Sequence, residues 1–197
     1  MQYTLYPTKD STIYEQYPHM NAGLDPSLDL IKTVISSASV DTVLNSRIVM
    51  QFDTDLIESL ISSSTVSSGS TYTLELTPNT YSNLPEAFEI NVHALTITSA
   101  SVISSDSWNM GLGLKQYYPS QSSGITWASK GVSRYTVDNT LWNTGSFVAT
   151  TTGSWQTIPG GGNWLTSVNY SQSFEYEVDN ISIDVTTLVN NWINGSI

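Results

Sequence analysis

Two histidines, ten aspartates and seven glutamates are the groups of this 197-residue chain that could carry acid–base or metal chemistry, and there is no cysteine. Neither His19 nor His93 lies in a nucleophile or metal-ligand motif, and no G-x-S-x-G, P-loop or H-E-x-x-H occurs. Gly111-Leu112-Gly113 lacks the remainder of a nucleotide fingerprint. The missing cysteine excludes disulfides, thiol catalysis and thiolate metal sites. Seventeen carboxylates could in principle supply a glycosidase pair, but that chemistry depends on a set separation in space, which the sequence does not encode. The chain reads as no enzyme and as having no cofactor.

Three weaker constellations remain. Asp10, Asp25, Asp29 and Asp53 offer oxygen ligands that an N-terminal loop could gather around a structural calcium ion, which takes six to eight oxygens. The competing reading, in which these aspartates cap turns, is preferred. Arg47 is one of two arginines and sits in a mostly apolar segment. It reads as a structural residue, its stem packed across a sheet and its charge paired with Asp53 or another carboxylate. The aromatic residues Tyr117, Tyr118, Trp127, Trp142, Trp155 and Trp164 fall in loop-like stretches and could stack on sugar rings. The alternative is that they anchor those loops from inside.

The elements that must position these groups are strands. Short strands are expected at Tyr3 to Tyr6 and Thr12 to Tyr14, then an ordered loop from Pro18 to Pro26 turning at Asn21-Ala22-Gly23. Ser27 to Val34 alternates as a strand, and Asn45 to Asp53 is the strongest early one, with Val49 covered on both sides. Leu56, Ile57, Leu60 and Ile61 mark a short helix, with Asp55 and Glu58 fitting a capping box. Thr71 to Thr77 is a half-wet strand, Phe88 to Thr98 another with a break near Ala94 to Ile97, and Phe174 to Asp184 a third. Residues Val185, Leu188, Val189, Trp192 and Ile193 follow helical spacing, with Asp184 or Thr186 as the cap and Gly195 at the end. Strands outnumber helices and the middle is loop-rich. The expected fold is therefore all-β: one antiparallel β-sandwich of jelly-roll type spanning 1–197, with long loops and a short C-terminal helix.

Composition narrows the function. Six basic against seventeen acidic residues give a formal net charge of −11. No broad basic face for nucleic acid can be built from them. No run reaches the length of an apolar membrane span, so no membrane insertion is expected.

The segments DSTIY (Asp10 to Tyr14), Asn21-Ala22-Gly23, SRIVMQFD (Ser46 to Asp53), ITW (Ile125 to Trp127), GGGNW (Gly160 to Trp164) and ISIDVTTLVNNWING (Ile181 to Gly195) occur in one order. That order resembles the DNRLRE domain, a jelly-roll β-sandwich family related to carbohydrate-binding modules. The resemblance spans nearly the whole chain. It implies that Trp127 and Trp192 are core residues and that Asp184 opens the last helix. Family members continue with a further strand where this chain stops at Ile197, so the last strand is expected to be replaced by an early one, borrowed from a partner, or lost with a missing segment. The opening TLYPTKDSTIYE, with no export signal before it, is similar to the start of bacteriophage neck, collar or tail-fibre proteins. The resulting expectation is a structural virion component that forms a homo-oligomer and packs against other virion proteins. The alternative is a non-catalytic carbohydrate-binding module attached to or acting with a polysaccharide-active protein, and a host-surface glycan is the further candidate partner.

Overall fold

The structure is a computed structural model that describes residues 2–37, 40–79, 84–85, 87–98, 101–102, 108–117, 124–130, 161–162, 169–175 and 180–195. It consists mostly of strands in small antiparallel sheets, with two short α-helices. The chain divides into two compact units that interleave along the sequence. One comprises Leu5–Phe52 and Thr96–Asn163; the other comprises Met1–Thr4, Asp53–Leu95 and Trp164–Ile197.

The first unit is built on β1 (Lys9–Tyr14), β2 (Lys32–Ser37) and β3 (Val40–Gln51), in the antiparallel order β1-β3-β2. The twelve-residue β3 serves two partners in succession. Val40 to Asn45 pair with β2, and Ser46 to Gln51 pair with β1. Ser11, Thr12, Ile13 and Tyr14 are all buried, so β1 is covered on both faces. Val49 is buried as expected on the face shared with Arg47, while Ile48 and Met50 opposite are half-buried.

Near the N-terminus two expected strands depart from their patterns, as does the segment Phe174 to Asp184, which is divided between a strand ending at Glu175 and another beginning at Ile181. Tyr3 to Tyr6 is not a strand: both tyrosines are exposed, so alternation there has nothing to bury against, and Pro7 lacks the N–H a ladder needs. The second begins at Lys32 rather than Ser27. Side chains displace the ladder before that point. The Asp29 N–H donates to Thr12 Oγ1 at 2.9 Å, and the Ser46 hydroxyl donates to the Asp29 carbonyl and accepts from the Ile31 N–H, both at 2.7 Å.

The other unit holds α1 (Thr54–Ser62), β4 (Thr73–Leu76) and β5 (Ala87–Val92). The chain then returns to the first unit for the short pair β6 (Thr96–Thr98) and β7 (Ser101–Val102), whose register shifts between Thr96 and Thr98, near the expected break. It re-enters the second unit for β8 (Tyr170–Glu175), β9 (Ile181–Asp184) and α2 (Thr186–Ile193). Here β4 pairs with β9, and β5 with β8, both antiparallel. Phe88 lies opposite Phe174 in that register, and their rings stack at 5.0 Å, a cross-strand aromatic pair of the kind that stabilises half-buried sheets. Ile181, Ile183, Val185, Leu188 and Val189 are buried, together with Ile57 of α1 and Phe174 of β8, so β9 and the helix that follows it supply most of the core of this unit.

The helix caps differ from expectation in detail. The N-cap of α1 is Asp53, whose Oδ1 accepts from the Leu56 N–H at 3.0 Å. The Asp55/Glu58 box thus falls two residues late. Asp184 Oδ1 accepts from the Thr186 N–H at 2.8 Å, one residue ahead of the N-cap Val185. Hydrogen bonding from the Thr186 side chain, and then from its N–H, holds the Asp184 carboxyl below the usual aspartate range. Thr186 also ties the helix to the strand region before β4, its Oγ1 accepting from the Tyr72 N–H at 2.8 Å. Gly195, at φ +62°, follows the end of α2.

Candidate functional site

The candidate site belongs to the first unit. Its centre is Asn21, which is completely buried. Its Nδ2 donates to the carbonyls of Met110 and Ile125, both at 2.8 Å. Its Oδ1 accepts from the N–H of Gly113 at 2.7 Å and, more weakly, from Gly23 at 3.4 Å. One amide side chain thereby fastens two distant loops to the turn after β1. The glycines around it are steric requirements: a methyl group at Gly113 would overlap the Asn21 backbone carbonyl, and one at Gly23 would overlap that of Met110. Backbone that approaches a polar side chain this closely leaves no room for a Cβ.

Two cations complete the fastening. Arg47 lies over the Trp127 ring, 4.6 Å from its centroid, and donates to the Gly161 carbonyl at 2.6 Å. Burial draws the guanidinium below its ordinary value, with Glu15 opposing; an arginine starts so far above neutrality that it stays charged. Lys115 forms an ion pair with Asp29 and sits 5.0 Å from the centroid of the Tyr14 ring. Tyr14 Oη also donates to Asp29, at 2.8 Å. Burial, reinforced by that carboxylate, pushes the Tyr14 phenol far above its usual range. The Lys115 N–H is held by the Asp25 carboxylate at 3.0 Å. Beside this cluster lies a groove of about 240 Å³ lined by residues that include Tyr14, Gln16, Tyr17, Asn45 and Lys115.

The same unit also projects an apolar surface. Beyond the β1 pairing, β2 and the first half of β3 form a two-stranded arm. Val34 pairs with Val43 on one face, and Ile35 lies opposite Thr42 on the other. Val34 is 55% exposed, Ile35 45% and Val43 40%. Apolar side chains therefore face outward on both sides of one hairpin.

The structure distributes the expected site residues unevenly. Trp127, a stacking candidate, is 3% exposed with Arg47 on its face. It is a core residue and offers no ring to a sugar; the indole is covered because Arg47 needs an uncharged, polarisable partner where its guanidinium leaves water. Tyr117 ends a single 3₁₀ turn, Lys115–Tyr117, and its side chain lies outside the described residues, as do Tyr118, Trp142, Trp155 and Trp164. Arg47 meets Trp127 and Gly161, and the Asp53 carboxylate, offered as one partner for it, caps α1 instead. The four aspartates proposed as calcium ligands are put to different uses. Asp25 and Asp29 converge on Lys115, Asp53 caps α1, and Asp10 lies in β1 opposite Met50. Among the described residues no three His, Asp or Glu side chains are grouped to hold a metal ion. Trp192 is half-buried, and its Nε1 is buried without a hydrogen-bond partner among the described residues. Sequence reasoning located the Asn21 turn but missed its partners; the spaced glycines Gly111, Gly113 and Gly124 were the available signal.

No family model matches the chain, and neither a curated protein nor a solved structure matches it.

Proposed function

We propose that the chain is a non-enzymatic structural subunit of a bacteriophage virion, at the neck, collar or tail fibre, which works by packing against copies of itself and against neighbouring virion proteins. The finer reading of the fold, a jelly-roll sandwich in the manner of the DNRLRE domain, belongs to the same proposal. The observation that carries the packing reading is the β2–β3 arm with Val34, Ile35 and Val43 exposed across both faces. A lone apolar side chain on a surface means little. Three on one exposed two-stranded arm in a chain with 12% charged residues form surface that association would cover. The likeness of the opening TLYPTKDSTIYE to bacteriophage neck, collar or tail-fibre proteins supplies the virion setting. The Asn21 fastening suits the role, since it locks loops in place and performs no chemistry.

Mass photometry of the full-length protein across a concentration series tests this reading. A stable closed oligomer is the expected result, and a monomer at every concentration up to micromolar overturns it. The groove beside Tyr17 favours a second reading, a non-catalytic carbohydrate-binding module, because it joins the half-buried Tyr17 with the Gln16 and Asn45 amides in one depression. A glycan array decides that reading: saturable binding lost on Gln16→Ala supports it, and a blank array removes it.

A further inference from the structure

We infer that β2 pairs edge to edge with the β2 strand of a second copy, antiparallel, across a two-fold axis at Val34. This inference deepens the assembly reading and rests on it.

The argument begins with the ladder. The Glu15 N–H donates to the Asn45 carbonyl, and the Ser46 N–H donates to the Ile31 carbonyl. Odd-numbered residues of β3 therefore bond toward β1, and even-numbered ones toward β2. In the β2–β3 register, Thr33 lies opposite Leu44 and Ile35 opposite Thr42. The main-chain groups of Thr33 and Ile35 thus turn inward to β3, and those of Lys32, Val34 and Ser36 turn outward. Among the described residues β2 has no strand neighbour on that outer side.

An outward edge of this kind is a template for another strand. Its ladder chemistry limits the register. Under two-fold symmetry, outward residues must face outward residues, and two registers then match five of the six residues of β2, one centred on Val34 and one on Ile35; the Val34 register is inferred because it sets the more exposed side chain, Val34, against its own copy. Lys32 then faces Ser36, and Thr33 faces Ile35. β-Branched residues meet across the axis, a favourable cross-strand combination, and no like charges oppose one another. That neutrality argues for a second copy of this chain as the occupant. The net charge is −11, yet the only charge on β2 is Lys32. The strand therefore meets itself without the repulsion that two acidic surfaces would bring. The result is an isologous contact that merges two three-stranded sheets into one of six, in the order β1-β3-β2-β2-β3-β1. Val34 on one face of the arm and Ile35 on the other each gain cross-strand neighbours from the second copy, and Val43 stays packed beside Val34.

The cysteine-free sequence provides a direct test. In the inferred register, Val34→Cys faces itself at a Cα separation of about 5.5 Å, inside the disulfide range of roughly 4.4–6.8 Å. Thr33→Cys or Ile35→Cys alone lies about 8 Å from its copy, two residues off along the strand, and does not close. Mixing those two variants brings them opposite one another. The expected result on a non-reducing gel, after mild oxidation, is a dimer band for most of the Val34→Cys protein. A band is also expected for the Thr33→Cys/Ile35→Cys mixture, and none for either variant alone. Circular dichroism confirms that each variant is folded. If unmodified protein is oligomeric by mass photometry but none of these cross-links forms, the edge pairing is wrong and assembly proceeds through another surface. If Thr33→Cys or Ile35→Cys closes on itself, this register is wrong. If the protein is a monomer throughout and no cross-link forms, the edge pairing and the assembly reading fail together.

Discussion

Replacing Asn21 with alanine removes three well-formed hydrogen bonds at once, and its cost can be worked from their surroundings. The side chain is fully buried. Its bonds to the Ile125 carbonyl and the Gly113 N–H are buried, whereas its bond to Met110 is only partly so. After truncation the Met110 carbonyl can turn to water at little cost. The other two groups are left unpaired, at about 1–3 kcal/mol each. The cavity vacated by the amide is polar, and a water molecule entering it would recover part of the loss. The expected destabilisation is therefore about 3–5 kcal/mol, a large share of the roughly 5–15 kcal/mol by which folded domains are stable. Urea unfolding followed by tryptophan fluorescence is the assay, since Trp108 and Trp127 are buried in the same unit. Gly113→Ala attacks the same contact from the other side and should cost a similar amount by forcing backbone apart. Exposed Ser67→Ala serves as the control and should change little. An Asn21→Ala protein within 1 kcal/mol of the original would refute the idea that this amide fastens the loops.

Other outcomes follow from the same contacts. Arg47→Met loses the Gly161 hydrogen bond and the cation over Trp127, at about 2–3 kcal/mol; urea unfolding should register that loss, and Trp127 emission should shift. Asp53→Ala removes the N-cap of α1 and should cost about 1 kcal/mol, seen in the same unfolding midpoint. Folding lowers the Asp184 pKa, so its contribution is present above the ordinary aspartate range and is lost as acid titrates it in the folded state. The unfolding midpoint should fall as the pH drops below the ordinary aspartate range, and Asp184→Asn should flatten that fall. Lys115→Met leaves Asp29 with the Tyr14 hydroxyl but without its ion pair; thermal melting should show a loss smaller than that of Asn21→Ala, because the pair is partly exposed.

Sequence reading reached furthest where a local pattern had a local cause. The spacing of Leu188, Val189 and Trp192 located α2, and alternation located β4, because each needs only one face to be covered. It failed at Tyr3 to Tyr6, where alternation was present but a covering surface was not. It misplaced the start of β2 because the Thr12 and Ser46 hydroxyls, distant in sequence, take the backbone groups a ladder would have used. The fastening around Asn21 was half legible. An Asn-Ala-Gly turn is a local signal, but its partners lie near Met110, Gly113 and Ile125, and no periodicity links them. Arg47 was expected to pair with Asp53 or another carboxylate; its contacts with Trp127 and Gly161 were not legible, because a sequence presents nearby Asp53 more plainly than distant loops.

The Asn21 fastening also has a consequence during synthesis. Ile125 follows Asn21 by 104 residues. At about 5–20 residues per second, roughly 5–20 s pass between the ribosome adding one and adding the other. Throughout that interval the amide that will end up fully dry has only solvent or transient neighbours for its donors. The β1–β3–β2 sheet can pair early, since its strands are close in sequence, but it waits as an unfinished platform for the rest of its unit. The apolar arm is displayed for all of that time, so neighbouring nascent chains on one message encounter it before either subunit is complete.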